Sequence, residues 1–219
     1  MGDTDCVLFD FDGTLACSTP AIVESYRFAF TEVLGYPFPD SDEDMNEMLT
    51  VRFRELCANR GGDRAQDLVT KFRERYLGEL ESPPHLYDGV LEMFDGLRER
   101  GITFGMVTNK TRVAAEHEIL RCGLGDTEFR CLITADEASR GKPDPLPVVL
   151  GLQAAGVEPD KALYVGDGGH DVVAARGAGV RAVGAAYGDW GAEALRTAGA
   201  YAVIDAPLGL LDVVDAGLR

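Results

Sequence analysis

Short apolar segments alternate with helical patterns along most of the chain, and this alternation limits the possible folds more than any other feature. Strand-like apolar runs are found at residues 6–9, 102–107, 131–134, 162–165, 180–185 and 201–204. Helical periodicity is found at residues 90–100, 112–122, 145–155, 172–177 and 192–198. Buried strands that alternate with helices form parallel sheets covered on both faces. The sequence therefore predicts an α/β fold with a parallel sheet and helices on both of its faces.

One long segment, residues 20–80, departs from this alternation and has helical periodicity throughout. Ile22, Tyr26 and Phe30 recur at the spacing that places them on one face of a first helix. Prolines at 37 and 39 and glycines at 61 and 62 divide the segment into about three helices. We expect a small all-helical domain, residues 17–85, inserted into a core of residues 1–16 and 86–219. Its acidic run at 40–47 is interpreted as a solvated face.

Charge and apolar content limit the partners and the class of the protein. The 219 residues carry a formal net charge of −16, and 46% of them are hydrophobic. An acidic surface repels nucleic acid and anionic membranes, and no apolar stretch reaches the roughly 18–20 residues of a membrane helix. The first ten residues contain three aspartates, where a signal peptide is basic. We expect a cytoplasmic monomer or homodimer that binds neither nucleic acid nor membrane.

Five cysteines are scattered through the chain without a Cys-x-x-Cys pair or a Cys/His cluster. An odd number without metal-ligand spacing favours neither a disulfide framework nor a zinc site. The sequence therefore predicts free, mostly buried thiols.

The first chemically informative motif, Asp10-Phe11-Asp12-Gly13-Thr14, directly follows a buried strand. Residues two apart on a strand point to the same side, so both carboxylates can face one site. Two carboxylates this close repel each other when both are ionised, unless a cation or a shared proton intervenes. With bound Mg²⁺, one can be an ionised nucleophile and the other a general acid/base.

Two further motifs also follow predicted strands. Thr108-Asn109-Lys110 stands before a helix, where a hydroxyl and free backbone N–H groups form an anion site, although helix capping would explain the same residues. Lys142 stands between a glycine and a proline, where a fixed ammonium would offset carboxylate repulsion and contact a phosphate. An ordinary surface lysine before a proline-started helix is the alternative.

The fourth motif, Gly166-Asp167-Gly168-Gly169-His170-Asp171, again comes directly after a predicted strand. Asp167 at the strand end and Asp171 four residues later can complete an oxygen-ligand set for Mg²⁺. Asp171 would also suit the positive end of a helix dipole without any metal. His170 is a possible general base, but a single histidine beside glycines is more typical of a structural or exposed residue.

These four motifs, in this order and at strand ends, closely resemble the haloacid dehalogenase-like hydrolase superfamily. The resemblance covers essentially the whole chain, because the helical insertion lies where this family has its smaller cap domain. Within the family, Thr108-Asn109-Lys110 is most similar to the middle motif of phosphoglycolate phosphatases. The resemblance implies a Rossmann-like parallel sheet core with a helical cap domain inserted after the first strand.

The same resemblance implies Mg²⁺-dependent hydrolysis of a small phosphorylated metabolite through an aspartyl-phosphate. Asp10 would attack phosphorus, and Asp12 would protonate the leaving alkoxide and then deprotonate the hydrolytic water. Thr108, the backbone amide of Asn109 and Lys142 would hold the phosphoryl oxygens. The resemblance further implies four Mg²⁺ ligands, with Asp12 using its backbone carbonyl: Asp10, Asp12, Asp167 and Asp171.

The chain departs from the family pattern in residues that bear on substrate choice. Similar phosphatases carry a Gly-x-Pro-x-Arg-Glu-like segment in the cap, and Thr50 and Arg52 here replace its Gly and Pro. Arg54 fits the pattern. Arg52 and Arg54 are candidates for gripping a substrate carboxylate, and solvated helix charges are the alternative. Cys17 stands where an aspartate is common, and Gly168 where Ser or Thr often follows the metal aspartate.

Two other functions use similar residues. A sugar phosphomutase would employ Asp10 and Asp12 but rephosphorylate its intermediate. A phospho-accepting signalling module would use an acceptor aspartate, a threonine, a lysine and Mg²⁺ on a parallel sheet. Such modules are shorter and have no helical cap, and Asp12 distinguishes an enzyme from them because its acid/base role drives turnover.

Overall fold

The computed structural model describes residues 4–217, which form two compact units. The first contains the chain up to Cys17 and from His85 onward, and the second is Ser18–Pro84. The second unit interrupts the first between two short strands, β2 (Ala16–Cys17) and β3 (His85–Leu86), which pair antiparallel.

A six-stranded parallel sheet forms the centre of the first unit. Its six strands are β1 (Cys6–Phe9), β4 (Thr103–Val107), β5 (Leu132–Ile133), β6 (Ala162–Gly166), β7 (Arg181–Ala185) and β8 (Ala202–Ile204), and β2 and β3 form a separate pair. The spatial order is β5-β4-β1-β6-β7-β8. The register places Phe9 beside Met106 of β4 and Val165 of β6. The strands that carry the predicted motifs, β4, β1 and β6, are therefore neighbours at the middle of the sheet.

Helices cover both faces of this sheet. They are α5 (Val90–Glu99), α6 (Arg112–Arg121), α7 (Leu146–Ala155), α8 (Gly169–Gly177), α9 (Gly191–Ala198) and α10 (Gly209–Ala216). Alternate residues of β1 enter different apolar clusters, as strand geometry requires. Val7 and Phe9 pack in the cluster with α5 and α10, whereas Cys6 and Leu8 pack in the cluster with α7, α8 and α9. The predicted α/β fold is confirmed.

The second unit is helical and has a core of its own. Its helices are α1 (Thr19–Leu34), α2 (Asp42–Thr50), α3 (Phe53–Gly61) and α4 (Ala65–Leu77). Tyr26 and Phe30 of α1 pack with Phe38, Leu56 and Leu68 in one buried cluster. The aromatic side chains contact one another closely, with the rings of Phe30 and Phe38 stacked 4.7 Å apart.

Several elements differ from the sequence expectations. The insertion has four helices rather than about three, because a 3₁₀ turn at Gly62–Arg64 separates α3 from α4. Part of the acidic run is not a purely solvated face, since Asp44 and Glu47 pair with Arg60. Helix α8 begins at Gly169, three residues before its predicted start. Helix α10 and the β2–β3 pair were not predicted.

None of the five cysteines, all of which lie within residues 4–217, forms a disulfide, and Cys6, Cys57 and Cys131 are buried, as the sequence predicts. Among residues 4–217, no helix is long and apolar enough to cross a membrane.

Candidate active site

The predicted site residues of the first unit follow the carboxyl ends of adjacent parallel strands. Asp10 follows β1, Thr108 follows β4 and Asp167 follows β6. Lys142 lies in the loop between β5 and α7. In open α/β sheets this edge is where ligands bind, and the register of β4, β1 and β6 brings the three loops side by side.

Asp10, Lys142 and Asp171 form a buried charged cluster. Lys142 Nζ lies 2.6 Å from Asp10 Oδ1 and 2.7 Å from Asp171 Oδ1. All three residues are buried, and the backbone N–H of Asp10 donates to the carbonyl of Val165 on β6 (2.9 Å). One ammonium therefore bridges two carboxylates that come from different loops, and the lysine is not an ordinary surface residue.

Burial and charge shift the pKa values of this cluster in different directions. Burial, opposed by Lys142 and reinforced by the charges of Asp171 and Asp12, raises the pKa of Asp10 to about 7. Although burial opposes its charged form, the neighbouring carboxylates raise the pKa of Lys142 well above its ordinary value. Burial also opposes ionisation of Asp171, but His170 and Lys142 hold the pKa of Asp171 below its ordinary value. The Lys142 ammonium therefore stays charged beside Asp10, the candidate nucleophile.

Tyr164 on β6 supports this cluster from within the sheet. Its hydroxyl accepts from Lys142 Nζ (2.9 Å) and lies 3.0 Å from the carbonyl of Val107 and 3.2 Å from Asp171 Oδ1. Lys142 Nζ also donates to the Val107 carbonyl (3.2 Å). Because these partners are buried, the position of the ammonium is fixed by hydrogen bonds as well as by the two carboxylates.

The loop after β4 is tied to the Lys142 loop. The side-chain amide of Asn109 donates to the Lys142 carbonyl (3.2 Å), and its oxygen accepts from the Lys142 N–H (3.0 Å). Thr108 is buried and accepts from the N–H of Lys110 through Oγ1 (3.2 Å). Helix α6 follows at Arg112, and the side chain of Thr111 makes no capping hydrogen bond there. The Asn109 side chain therefore ties the loop after β4 to the loop that carries Lys142.

Asp12 lies at the more open side of the site, with 27% of its side chain exposed. Its Oδ1 is 3.0 Å from Lys110 Nζ. The same ammonium lies 3.2 Å from Oε1 of Glu118, a fully buried carboxyl on α6. The two aspartates of the first motif therefore have different cations, Lys142 for Asp10 and Lys110 for Asp12.

Asp167 is held by the loop that follows β7. Its Oδ2 accepts from the backbone N–H of Asp189 (2.9 Å). A Cβ on Gly13 would lie 2.1 Å from Asp167 Oδ2, and a Cβ on Gly188 would lie 2.4 Å from Asp167 Cβ. Burial and the charges of Asp171 and Asp10 raise the pKa of Asp167 well above its ordinary value. Two glycines therefore make room for a carboxyl whose charged form is disfavoured by burial and by the neighbouring carboxylates.

The chemistry of this donor set fits a divalent metal ion. Ligand atoms of Asp10, His170 and Asp171 lie within 4.8 Å of one another, and the carboxyl of Asp167 is buried at the end of the neighbouring strand. Asp10 and Asp171 share the ammonium of Lys142, and Asp167 adds a third buried carboxyl, so these residues offer an excess of negative charge and of hard oxygen donors. His170 was not among the predicted ligands. Its Nε2 lies 3.6 Å from Asp171 Oδ2.

Arg52 and Arg54, the predicted substrate contacts, belong to the helical unit. Arg52 immediately precedes α3 and is half-buried, and Arg54 lies in its first turn and is exposed. Neither guanidinium forms an ion pair with another residue in the described part of the chain. Cys17, which replaces a common aspartate, is the last residue of β2 and lies across from His85.

Sequence reasoning missed three residues of this site. Tyr164 was counted only as part of an apolar strand, and Lys110 only as part of a motif. Glu118 was not singled out at all. Glu118 stands three residues after Ala115 and so lies on the same buried face of α6, but the burial of that face is known only from the structure.

Comparison with known proteins agrees with the geometry. The family model described as haloacid dehalogenase-like hydrolase matches residues 7–185, and the chain belongs to this family. The N-acetylmuramic acid 6-phosphate phosphatase of Pseudomonas aeruginosa is 30% identical over 97% of this chain and 95% of its own length. The phosphoglycolate phosphatase of Xanthomonas campestris pv. campestris is 34% identical over 83% of each chain.

A solved structure shows the same fold. CbbY from Rhodobacter sphaeroides, in complex with xylulose-1,5-bisphosphate, superposes with a TM-score of 0.82 at 23% identity, over 94% of this chain and 96% of that one. The predicted family is therefore confirmed, as is the prediction of an enzyme of the phosphoric monoester hydrolase class within it.

Proposed function

We propose that this protein is a Mg²⁺-dependent phosphatase that hydrolyses a small phosphorylated metabolite through an aspartyl-phosphate on Asp10. The observation that carries the proposal is the contact of Lys142 Nζ with both Asp10 (2.6 Å) and Asp171 (2.7 Å) in a buried cluster at the carboxyl edge of the sheet. A buried carboxylate beside a fixed ammonium combines a nucleophile with a charge that can hold the phosphoryl group it attacks.

Asp10 is the nucleophile in this proposal. Its carboxylate oxygen forms a bond to phosphorus while the bond from phosphorus to the substrate alkoxide breaks. Because burial raises the pKa of Asp10 to about 7, its ionised form depends on nearby positive charge. Lys142 supplies one such charge.

Asp12 is the proton carrier. It gives a proton to the departing alkoxide, and it then takes a proton from the water that attacks the phosphorus of the aspartyl-phosphate. Phosphate leaves, and both aspartates return to their starting state. The contact of Lys110 with Asp12 Oδ1 stabilises the carboxylate that remains after the first proton transfer.

The phosphoryl oxygens are held by groups on two neighbouring loops. Lys142 contributes its ammonium, Thr108 its hydroxyl and Asn109 its backbone N–H. The reciprocal hydrogen bonds between Asn109 and the Lys142 backbone keep these donors in a fixed relation. Donors that are already oriented stabilise charge in a transition state without reorganising.

Asp10, Asp167, Asp171 and the backbone carbonyl of Asp12 would hold Mg²⁺. The excess of carboxyls over ammonium groups in the buried cluster supports this assignment. When bound, the ion neutralises charge on the carboxylates and on the phosphoryl oxygens. Gly13 and Gly188 matter to the site because a side chain at either would displace Asp167.

The helical unit, as the cap domain of this family, would select the substrate. Arg52 and Arg54 at the start of α3 have no ion pair within the described residues, which makes their guanidinium groups available for a substrate carboxylate. A relative 34% identical to this chain is named a phosphoglycolate phosphatase, and phosphoglycolate carries such a carboxylate. We therefore place a phosphorylated small carboxylate first among the substrate classes.

Phosphate release from a substrate panel, with and without Mg²⁺, tests the proposal. The panel contains 2-phosphoglycolate, hexose phosphates, pyrophosphate and a nitrophenyl phosphate. The proposal predicts release that requires Mg²⁺ and is fastest with one small metabolite. Replacing Arg52 and Arg54 by Met should raise KM for 2-phosphoglycolate but not for nitrophenyl phosphate, which has no carboxylate. No release from any substrate by the folded, Mg²⁺-loaded protein would contradict it.

A further inference from the structure

Glu118 is a buried carboxyl that the reaction described above does not use. It lies on α6 and its side chain is 0% exposed. Its Oε1 accepts from Lys110 Nζ at 3.2 Å, whereas its Oε2 is buried and makes no hydrogen bond within the described residues. Burying an acidic side chain in this way costs free energy of folding. A role for its contact with Lys110 would explain why the residue is there.

Lys110 is fixed at both its backbone and its ammonium. Its N–H donates to Thr108 Oγ1 (3.2 Å), and its carbonyl accepts from Ala135 (2.7 Å). Only 9% of its side chain is exposed, and its Nζ lies 3.0 Å from Asp12 Oδ1 as well as 3.2 Å from Glu118 Oε1. The ammonium is therefore held between a buried carboxyl and the carboxyl of Asp12.

The protonation state of Glu118 determines how it acts on Lys110. Burial, reinforced by the charge of Asp12, raises the pKa of Glu118 to about 10, so Glu118 is uncharged at neutral pH. A proton on Oε2 leaves Oε1 as a hydrogen-bond acceptor. Oε2 has no partner within the described residues, and this costs less free energy in a neutral carboxyl than in a charged carboxylate. Glu118 thus orients the ammonium without competing for its charge, which acts on Asp12.

We propose that Glu118 is a positioning residue for Asp12: its Oε1 holds the Lys110 ammonium against the Asp12 carboxyl during proton transfer to the leaving group. This inference rests on the function proposed above. Without the acceptor, the ammonium would turn towards solvent. The carboxylate left on Asp12 would then lose the cation that stabilises it.

Three variants on α6 test the inference. Glu118→Leu removes the acceptor and keeps an apolar side chain of similar size, and Glu118→Gln keeps an oxygen acceptor. Glu116→Leu is the matched control, because Glu116 lies on the same helix but is 55% exposed and pairs with Arg112. Each variant is assayed with 2-phosphoglycolate and with p-nitrophenyl phosphate, whose leaving group departs without needing a proton.

Because general acid catalysis contributes about 10²–10⁴-fold, we expect Glu118→Leu to lower kcat/KM for 2-phosphoglycolate by about tenfold. The loss with p-nitrophenyl phosphate should be about twofold or less. Glu118→Gln should recover most of the activity, and Glu116→Leu should match the wild type. An equal loss with both substrates, or no loss with either, would overturn the inference.

Two further measurements separate this role from folding and from the proposed function. Thermal unfolding of Glu118→Leu should stay cooperative and close to the wild-type temperature, because leucine fills the buried space and Lys110 keeps Asp12 as a partner. A crystal structure of the variant should show Lys110 Nζ beyond hydrogen-bond distance from Asp12, and an unchanged contact would refute the inference. A wild-type protein that releases no phosphate would refute the proposed function, while the crystal structure still decides whether Glu118 holds Lys110.

Discussion

Lys142 determines the electrostatics of the candidate site at the scale of single residues. Its ammonium is the only cation within 3 Å of either Asp10 or Asp171 among the described residues. Removing one member of a buried, paired set leaves an uncompensated charge and costs several kcal/mol. The contacts of Lys142 with Asp10 and Asp171 offset the carboxylate charges in the folded state. The same ammonium lies beside Asp10, where a phosphoryl group would bind in the proposed reaction. If the proposed function holds, stability and reactivity both depend on the Lys142 side chain.

Tyr164→Phe should weaken the fold by about 1–3 kcal/mol, the usual cost of leaving buried partners unsatisfied. The ring stays, but Lys142, Asp171 and the Val107 carbonyl each lose contact with the hydroxyl. Urea unfolding followed by circular dichroism gives the free energy difference. Tyr36→Phe, on a half-exposed tyrosine of the helical unit, is the control and should differ by less than about 0.5 kcal/mol. Equal free energies of unfolding for Tyr164→Phe and the wild type would show that the Tyr164 hydroxyl does not contribute to stability.

Some residues of the candidate site could be predicted from the sequence, and others could not. Asp10, Thr108 and Asp167 could be placed at one edge because each directly follows an apolar run, and strand ends of a parallel sheet share an edge. Tyr164 could not be found in this way, since a strand residue that is buried for packing and one that is buried for its hydroxyl look alike in a sequence. Glu118 depends on which face of α6 is covered, and only the packed structure shows that.

At the scale of elements, the turn after β1 has to pass very close to Asp167. Gly13 has a φ of +69°, which favours glycine, and a Cβ there would lie 2.1 Å from Asp167 Oδ2. The turn therefore needs glycine for two separate reasons, backbone conformation and space. Only the second involves the site.

Comparing Gly13→Ala with Gly101→Ala separates these two reasons. Gly101 has a similar φ of +72°, but a Cβ there meets nothing within 4 Å. Both variants should lose about 1–2 kcal/mol of stability from backbone strain. Gly13→Ala alone should also lose phosphatase activity and bind Mg²⁺ more weakly, as measured by phosphate release over a Mg²⁺ titration. If the two variants retained equal activity, Gly13 would have no role at the site beyond its turn.

Two of the elements that could not be predicted from the sequence are too short to show a pattern. Strands β2 and β3 have two residues each, too few for alternation to be detectable. They form because the fold brings the two strands side by side, with Cys17 paired with His85. This pairing is a long-range contact. The long, strongly apolar strands β1, β4 and β6 were predicted within one residue of their observed bounds.

At the scale of the whole molecule, the chain consists of two compact units with separate apolar cores. The second unit is inserted between Cys17 and His85 of the first, and the β2–β3 pairing brings these two residues next to each other. A two-residue Asn-Gly turn closes antiparallel strands of this kind. The fold of the first unit therefore does not require the polypeptide of the second to connect it.

Replacing residues 18–84 with Asn-Gly should give a folded sheet unit with cooperative thermal unfolding. Its far-ultraviolet circular dichroism should retain both strand and helix signals. The variant should also release phosphate from p-nitrophenyl phosphate, because the residues proposed for the chemistry belong to the first unit, but it should lose preference among the metabolites of the panel. A non-cooperative melt, or a preference equal to that of the full chain, would show that the units do not divide these tasks.

The central claim is that Asp10 carries the phosphoryl group during turnover. The most direct measurement is mass spectrometry of peptides from the Mg²⁺-loaded protein, quenched in acid during hydrolysis of its best substrate. We expect one added phosphoryl group on the peptide that contains Asp10. We expect none in Asp10→Asn, which should fold normally while its turnover falls by about 10³-fold or more. Phosphate release by the wild type with the phosphoryl group on another residue, or full turnover by Asp10→Asn, would contradict the account.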